Sequence, residues 1–130
     1  MPNAREMHGL TMCTVSPALV KGTNKSYTTT VTAVGMINGK FVTGLTAQTN
    51  AASPTADALS GDAFRALSDN QATVIVVGQN AAGTIKMCQG SIENTQVGVT
   101  TTAGDFIRAP QFPALPDDFM VFGYLLARTA

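Results

Sequence analysis

The chain is short of almost everything that marks chemically reactive proteins. It has no tryptophan, one histidine and two cysteines in 130 residues, and only 12% of its residues are charged. The single His8 lies near the N-terminus, where neither a catalytic triad nor a metal cluster is readily completed. Eight basic residues balance eight acidic ones, so no electrostatic footprint for nucleic acid or an anionic membrane is present. There is no G-x-S-x-G, no phosphate-binding glycine loop and no C-x-x-C pair. The carboxylates Glu6, Asp57, Asp62, Asp69, Glu93, Asp105, Asp117 and Asp118 all fall in predicted loops or at element ends. Asp117 and Asp118 therefore read as turn formers rather than an acid/base pair. The stretch from Asp57 to Asp62 lacks the alternating ligands of a calcium loop. No catalytic residue, cofactor or metal is expected, and the chain does not read as an enzyme.

Other absences bound the setting. Cys13 and Cys88 show no metal spacing and are expected to be two buried free thiols, Cys88 acting as a small hydrophobe within a strand pattern. The first residues, MPNAREMHGL, carry no apolar signal core, and the longest apolar run, Phe119 to Ala127, is too short to span a bilayer as a helix. Synthesis in the cytoplasm without secretion by a standard signal is the expectation. The only tyrosines are Tyr27 and Tyr124, the latter in a pattern that reads as buried, which leaves little for a sugar site.

What is present is β-prone. Residues 72–92, ATVIVVGQNAAGTIKMCQGSI, place two apolar runs around Asn80-Ala81-Ala82-Gly83, which suits a type I turn closed by a G1 bulge. Pairing Asn80 with Thr84 makes both faces of this hairpin apolar, so it is expected at the centre of the domain, covered on both sides. A second hairpin is signalled by Asn38-Gly39 after the Thr- and Val-rich run 26–37 and before a return strand over 40–47. Its register puts Val34, Met36, Phe41 and Leu45 on a bulky face expected to be core. Ala33, Gly35 and Gly44 form a small face able to admit a close second surface.

The remaining stretches follow from local signals. Residues 1–15 read as an N-terminal arm with a weak first strand over 10–15, and 16–130 as one β-rich domain. Residues 16–25 and 48–61 read as loops, the latter long enough to be a contact loop. DAFRAL, 62–67, suits one helical turn capped by Asp62. Pro110, Pro113 and Pro116 make 106–118 an extended crossover, followed by a final strand apolar on both faces. The fold class is all-β: a β-sandwich or jelly-roll-like domain of antiparallel hairpins with an extended arm and at most one helical turn. Low charge with 45% apolar content points to a surface covered by partners.

The succession FRALSDNQATVIVVGQNAAGTIKMCQGSI and then VGVTTTAGDFIRAPQFPALPDDFMVFGYLLART resembles the small structural proteins of tailed bacteriophages, in particular capsid cement (decoration) proteins. Gln89-Gly90 and Phe112 to Asp118 are its most telling pieces. The resemblance implies a non-enzymatic virion protein on the outer surface of the head, bound to the major capsid protein and to itself as a homotrimer. Function would then reside in surfaces. The arm residues Arg5, Met7, His8 and Leu10, with Met12, Phe112 and Leu115, are the candidate capsid or subunit contacts. The alternative is a receptor- or glycan-binding head domain of a phage fibre or spike.

Overall fold

The computed structural model describes residues 11–23, 26–44, 46–98 and 102–130. Nine strands form three antiparallel sheets of three strands each, and no helix occurs among the described residues. They are β1 (Met12–Val15), β2 (Val20–Lys21), β3 (Ser26–Thr29), β4 (Val34–Ile37), β5 (Lys40–Thr43), β6 (Gln48–Ala52), β7 (Gln71–Gln79), β8 (Ile85–Asn94) and β9 (Met120–Arg128). The sheet orders are β1-β4-β5, β2-β3-β6 and β8-β7-β9. The chain divides into two compact units. One comprises the described residues up to Pro54 with Gly78–Lys86 and Pro116–Phe122; the other comprises Thr55–Val77, Met87–Leu115 and Gly123–Ala130. The three long strands each contribute residues to both.

The two hairpins form where their turn chemistry places them. Asn38 and Gly39 both take positive φ, +51° and +78°, as a two-residue type I′ turn requires, and Met36 pairs with Phe41. In the central hairpin Asn80 N–H donates to Thr84 O, and Gly83, at φ +84°, donates to Asn80 O. The Asn80 side-chain oxygen accepts from the N–H groups of Ala82 and Thr84, so one side chain fixes the loop. The central position expected of the whole hairpin is taken by β7 alone, the middle strand of its sheet; β8 forms an edge and is only partly buried. Ala72, Thr73, Val74, Val76, Val77, Gly78 and Gln79 are all buried along β7.

The faces of the Asn38-Gly39 hairpin are the reverse of the expectation. Phe41 is 71% exposed, whereas Ala33, Gly35 and Ile37 are buried. Leu45 lies outside the described residues. The small face is the inner one because Gly35 leaves room that a side chain would take. A Cβ there would strike the Met120 sulfur and the Met12 carbonyl and would lie 3.0 Å from Cys13 Cα. Ala33, Ile37 and Met120 form the core of this unit, with Cys13, Val42 and Phe122 packed against it.

Several segments depart from their local signals. The run 26–37 is broken into β3 and β4, which belong to different sheets, and the N–H groups of Thr30 and Val31 at the break both donate to the carbonyl of the buried Pro17. Part of the expected loop 16–25 is β2, and Gln48–Ala52 is β6, paired with β3 through a register shift. Residues 62–67 form no helical turn. Phe64 N–H donates to Thr55 O, Ala56 bridges Ala63, and Arg65 is drawn to β8. The final strand is not buried on both faces: Phe119 and Met120 are buried, while Tyr124, Leu125 and Leu126 are exposed.

Exchanging the inner and outer faces changes which substitution is costly. Phe41→Ala is expected to lower stability by less than about 1 kcal/mol, against about 3–5 kcal/mol for a buried phenylalanine. Gly35→Ala, the smaller chemical change, is expected to cost about 1–3 kcal/mol through overpacking. Urea denaturation of the two variants beside the wild type reads the order directly, and a larger loss for Phe41→Ala would restore the bulky face to the core.

Candidate interaction surfaces

Two apolar surfaces stand out, one in each unit. In the first, the register aligns Met12 with Met36 and Met36 with Phe41 across β1, β4 and β5. Both edge members of this row are exposed and Met36 is half-buried. Cross-strand neighbours on one face lie within about 5.5 Å, so the three side chains make a continuous apolar strip. Met12, a candidate contact from the sequence, is thus joined to Phe41, which sequence reasoning had assigned to the core. Arg5, Met7, His8 and Leu10 lie outside the described residues.

The second surface is assembled around Gly90. A Cβ at Gly90 would collide with the Gln111 carbonyl and lie 3.1 Å from the Val74 carbonyl, so glycine lets the Pro-rich segment cross the sheet at backbone contact. The Thr73 hydroxyl donates to the Gly90 carbonyl at 3.2 Å. One residue beyond Gln111, Phe112 meets Tyr124 of β9 edge to face, with ring centroids 5.3 Å apart and planes at 84°. Both rings remain open to solvent, Phe112 at 58% and Tyr124 at 61%. Leu115, the other candidate from this segment, is also exposed, as are Leu125 and Leu126.

The two edges of the β8-β7-β9 sheet are treated differently. Along β8 the segment after Pro54 closes the edge. Asp57 bridges Met87 in parallel, and Ala58 N–H donates to Met87 O. Asp57 Oδ2 accepts the Gln89 N–H at 2.8 Å. The Gln89 side-chain amide then acts as a substitute peptide. Its oxygen accepts Arg65 N–H at 2.8 Å and its nitrogen donates to Arg65 O at 2.9 Å. The Arg65 guanidinium donates to Gly90 O at 3.1 Å. Along β9 no hydrogen bond from the described residues reaches the edge away from β7.

The cleft beside this closure, about 300 Å³, is lined by Asp57, Ser60, Asp62, Arg65, Gln89 and Pro113 among others. The side chains of Asp57, Arg65 and Gln89 are engaged in structure. Asp57 Oδ1 accepts the N–H groups of Leu59 and Ser60 while Oδ2 holds Gln89. Burial pushes the Asp57 carboxyl up, and the donors Gln89, Ser60 and Leu59 more than offset it, leaving the group below the usual carboxylate range. Among the described residues no three of His, Cys, Asp and Glu come together as a metal site. Both cysteines are free, Cys88 buried and Cys13 only half-buried, which corrects the expectation of two buried thiols. Burial raises both thiols, with the Asp57 charge adding to the rise at Cys88, so neither is an activated thiolate. The Cys13 thiol donates to the Val15 carbonyl at 3.2 Å.

No protein-family model, curated protein or solved structure matches this chain.

Asp57 carries a pH signature with a definite sign. Its folded carboxyl is held low, so its contribution to stability is present above the unfolded carboxylate range near pH ~4 and is lost as pH falls through the folded value. Asp57→Ala is expected to cost about 1–2 kcal/mol at neutral pH, the lower part of the range for charged hydrogen bonds because the group is partly exposed. The gap to wild type should close on acidification below pH ~4; a gap that persists there would mean that the three N–H bonds do not depend on the charge. The thiols give a second reading. Native protein is expected to take up one equivalent of an alkylating reagent, at Cys13, and a second only after denaturation, with mass spectrometry locating the label.

Proposed function

We propose that this chain is a structural virion protein, a capsid cement or decoration protein that binds the outer surface of a phage head, contacts the major capsid protein and stabilises the shell as a homotrimer. The observation that carries the reading is the Met12, Met36 and Phe41 row: three large apolar side chains aligned across three strands and turned outward. A protein with zero net charge and few charged residues that carries Met12, Met36 and Phe41 on one strip of its surface is suited to an apolar, charge-poor contact. The row begins two residues after the N-terminal stretch 1–10, so arm and strip are neighbours in the chain and belong to one proposed capsid contact. Repetition over many shell subunits turns a modest contact into a firm one.

One observation favours the alternative of a receptor- or glycan-binding head domain. Tyr124 is exposed beside Phe112, and exposed aromatics are what a sugar site needs. Their perpendicular packing presents an edge and a face rather than a flat platform, which suits a protein contact better than a sugar ring.

The deciding experiment is binding of purified protein to undecorated heads. Deleting residues 1–9, or replacing Phe41 with Lys, is expected to leave a folded oligomer that no longer binds. Binding that survives both changes would remove this surface from the proposal, and specific recognition on a glycan array abolished by Tyr124→Ala would install the alternative.

A further inference from the structure

We infer that the open edge of β9 is a docking strand for a second copy of this chain, which pairs with it antiparallel about a two-fold axis. The inference rests on the proposed function only in taking the protein itself as a partner; in a trimeric cement the pair would join one trimer to the next.

The two edges of one sheet supply the first argument. An uncovered edge strand invites pairing, and folded proteins blunt it with charge, proline, bulges or a covering segment. On β8 the covering is complete in kind: a parallel bridge at Met87, the Asp57 carboxylate on the Gln89 N–H, and the Gln89 amide paired with Arg65. On β9 none of these devices is used. From Met120 to Ala127 the strand has no charge and no proline, and its outer edge takes no hydrogen bond from the described residues. Its central side chains, Tyr124, Leu125 and Leu126, are exposed on both faces of the strand. A strand of nine residues is also long for an unprotected edge.

The charges at its ends choose the occupant and the direction. Asp117 and Asp118, both exposed, stand just before β9, and Arg128 ends it. Two copies paired antiparallel bring the basic end of each beside the acidic end of the other. A parallel pair sets like charge against like, which opposes docking. An element with an acidic start, an apolar middle and a basic finish is complementary to itself, the condition that a two-fold contact imposes. The present partner of Arg128 does not prevent this. The Asp105 carboxylate meets it at 3.3 Å, but Asp105 is 87% exposed, and such pairs exchange readily. Phe112, held against Tyr124, adds an aromatic side chain next to the proposed junction.

The test uses the free full-length protein. Light scattering across a concentration series is expected to give an even-numbered assembly, a dimer or a pair of trimers. Tyr124→Lys, at a position open enough to tolerate it, should halve that mass while leaving the circular dichroism spectrum unchanged. Single cysteines at Gly123, Tyr124 and Leu125, compared with wild type under mild oxidation, should trap a dimer most efficiently at one of the three, because near a two-fold axis a residue meets its own copy. Reversing Asp117 and Asp118 to Lys should dissociate the pair, and adding Arg128→Glu should restore it. A monomer or plain trimer unaltered by Tyr124→Lys, or the lack of any trapped dimer from the three cysteines, would overturn the inference. Head binding is read separately: failure of the β9 contact with heads still decorated refutes the pairing alone, and a β9 pair that ignores heads refutes the capsid reading alone.

Discussion

A strand covered on both faces has no side from which water can reach its backbone, so the peptide groups of Gln71–Gln79 must find partners within the protein. Nearly all of β7 is buried, and β8 and β9 meet the demand by flanking it. Much of the remaining chain follows from that arrangement. The Asn80 to Gly83 turn returns the chain as β8, Thr129 N–H extends the pairing of β9 by donating to Gln71 O, and the Pro-rich segment crosses the sheet at Gly90. Satisfying one strand transfers the problem of unpaired edges to its two neighbours.

Those neighbours answer it in opposite ways. The β8 edge is closed by a carboxylate and a side-chain amide that imitate a further strand without supplying one. Three N–H groups converge on Asp57, and the same contacts that favour its ionised form hold the 55–65 segment in place. The β9 strand keeps Tyr124, Leu125 and Leu126 in solvent. In a chain with so few charges, such an exposed apolar stretch is the kind of surface that a partner covers.

How much of this was legible in the sequence depended on how local the cause was. Asn38-Gly39 and Asn80 to Gly83 set their turns with their own backbone and side-chain chemistry, so both hairpins could be placed from the residues. The side of a hairpin that faces inward is not local. Alternation distinguishes Met36 and Phe41 from Gly35 and Ala33 but says nothing about which set meets Met120, and bulk was the wrong guide. β6 was missed because Gln48–Ala52 carries a single β-branched residue, Thr49, and no aromatic; its strand character comes from pairing with β3. The helical turn at 62–67 lost to the Gln89 amide, 24 positions along the chain. For the candidate surfaces, Met12, Phe112 and Leu115 were named from the sequence and are exposed. Phe41 and Tyr124 were read as interior, and the signal that they are not lies in glycines elsewhere that admit closer packing.

The outward turn of the Met12, Met36 and Phe41 row also sets the kind of force with which anything seated there is held. No side chain in the row carries a charge, so attachment draws on released water rather than on Coulomb attraction. Such a contact is nearly indifferent to ionic strength, since there is little for dissolved ions to screen. It is weakest in the cold and gains strength on warming, because the ordering of water around bare apolar groups is what drives it.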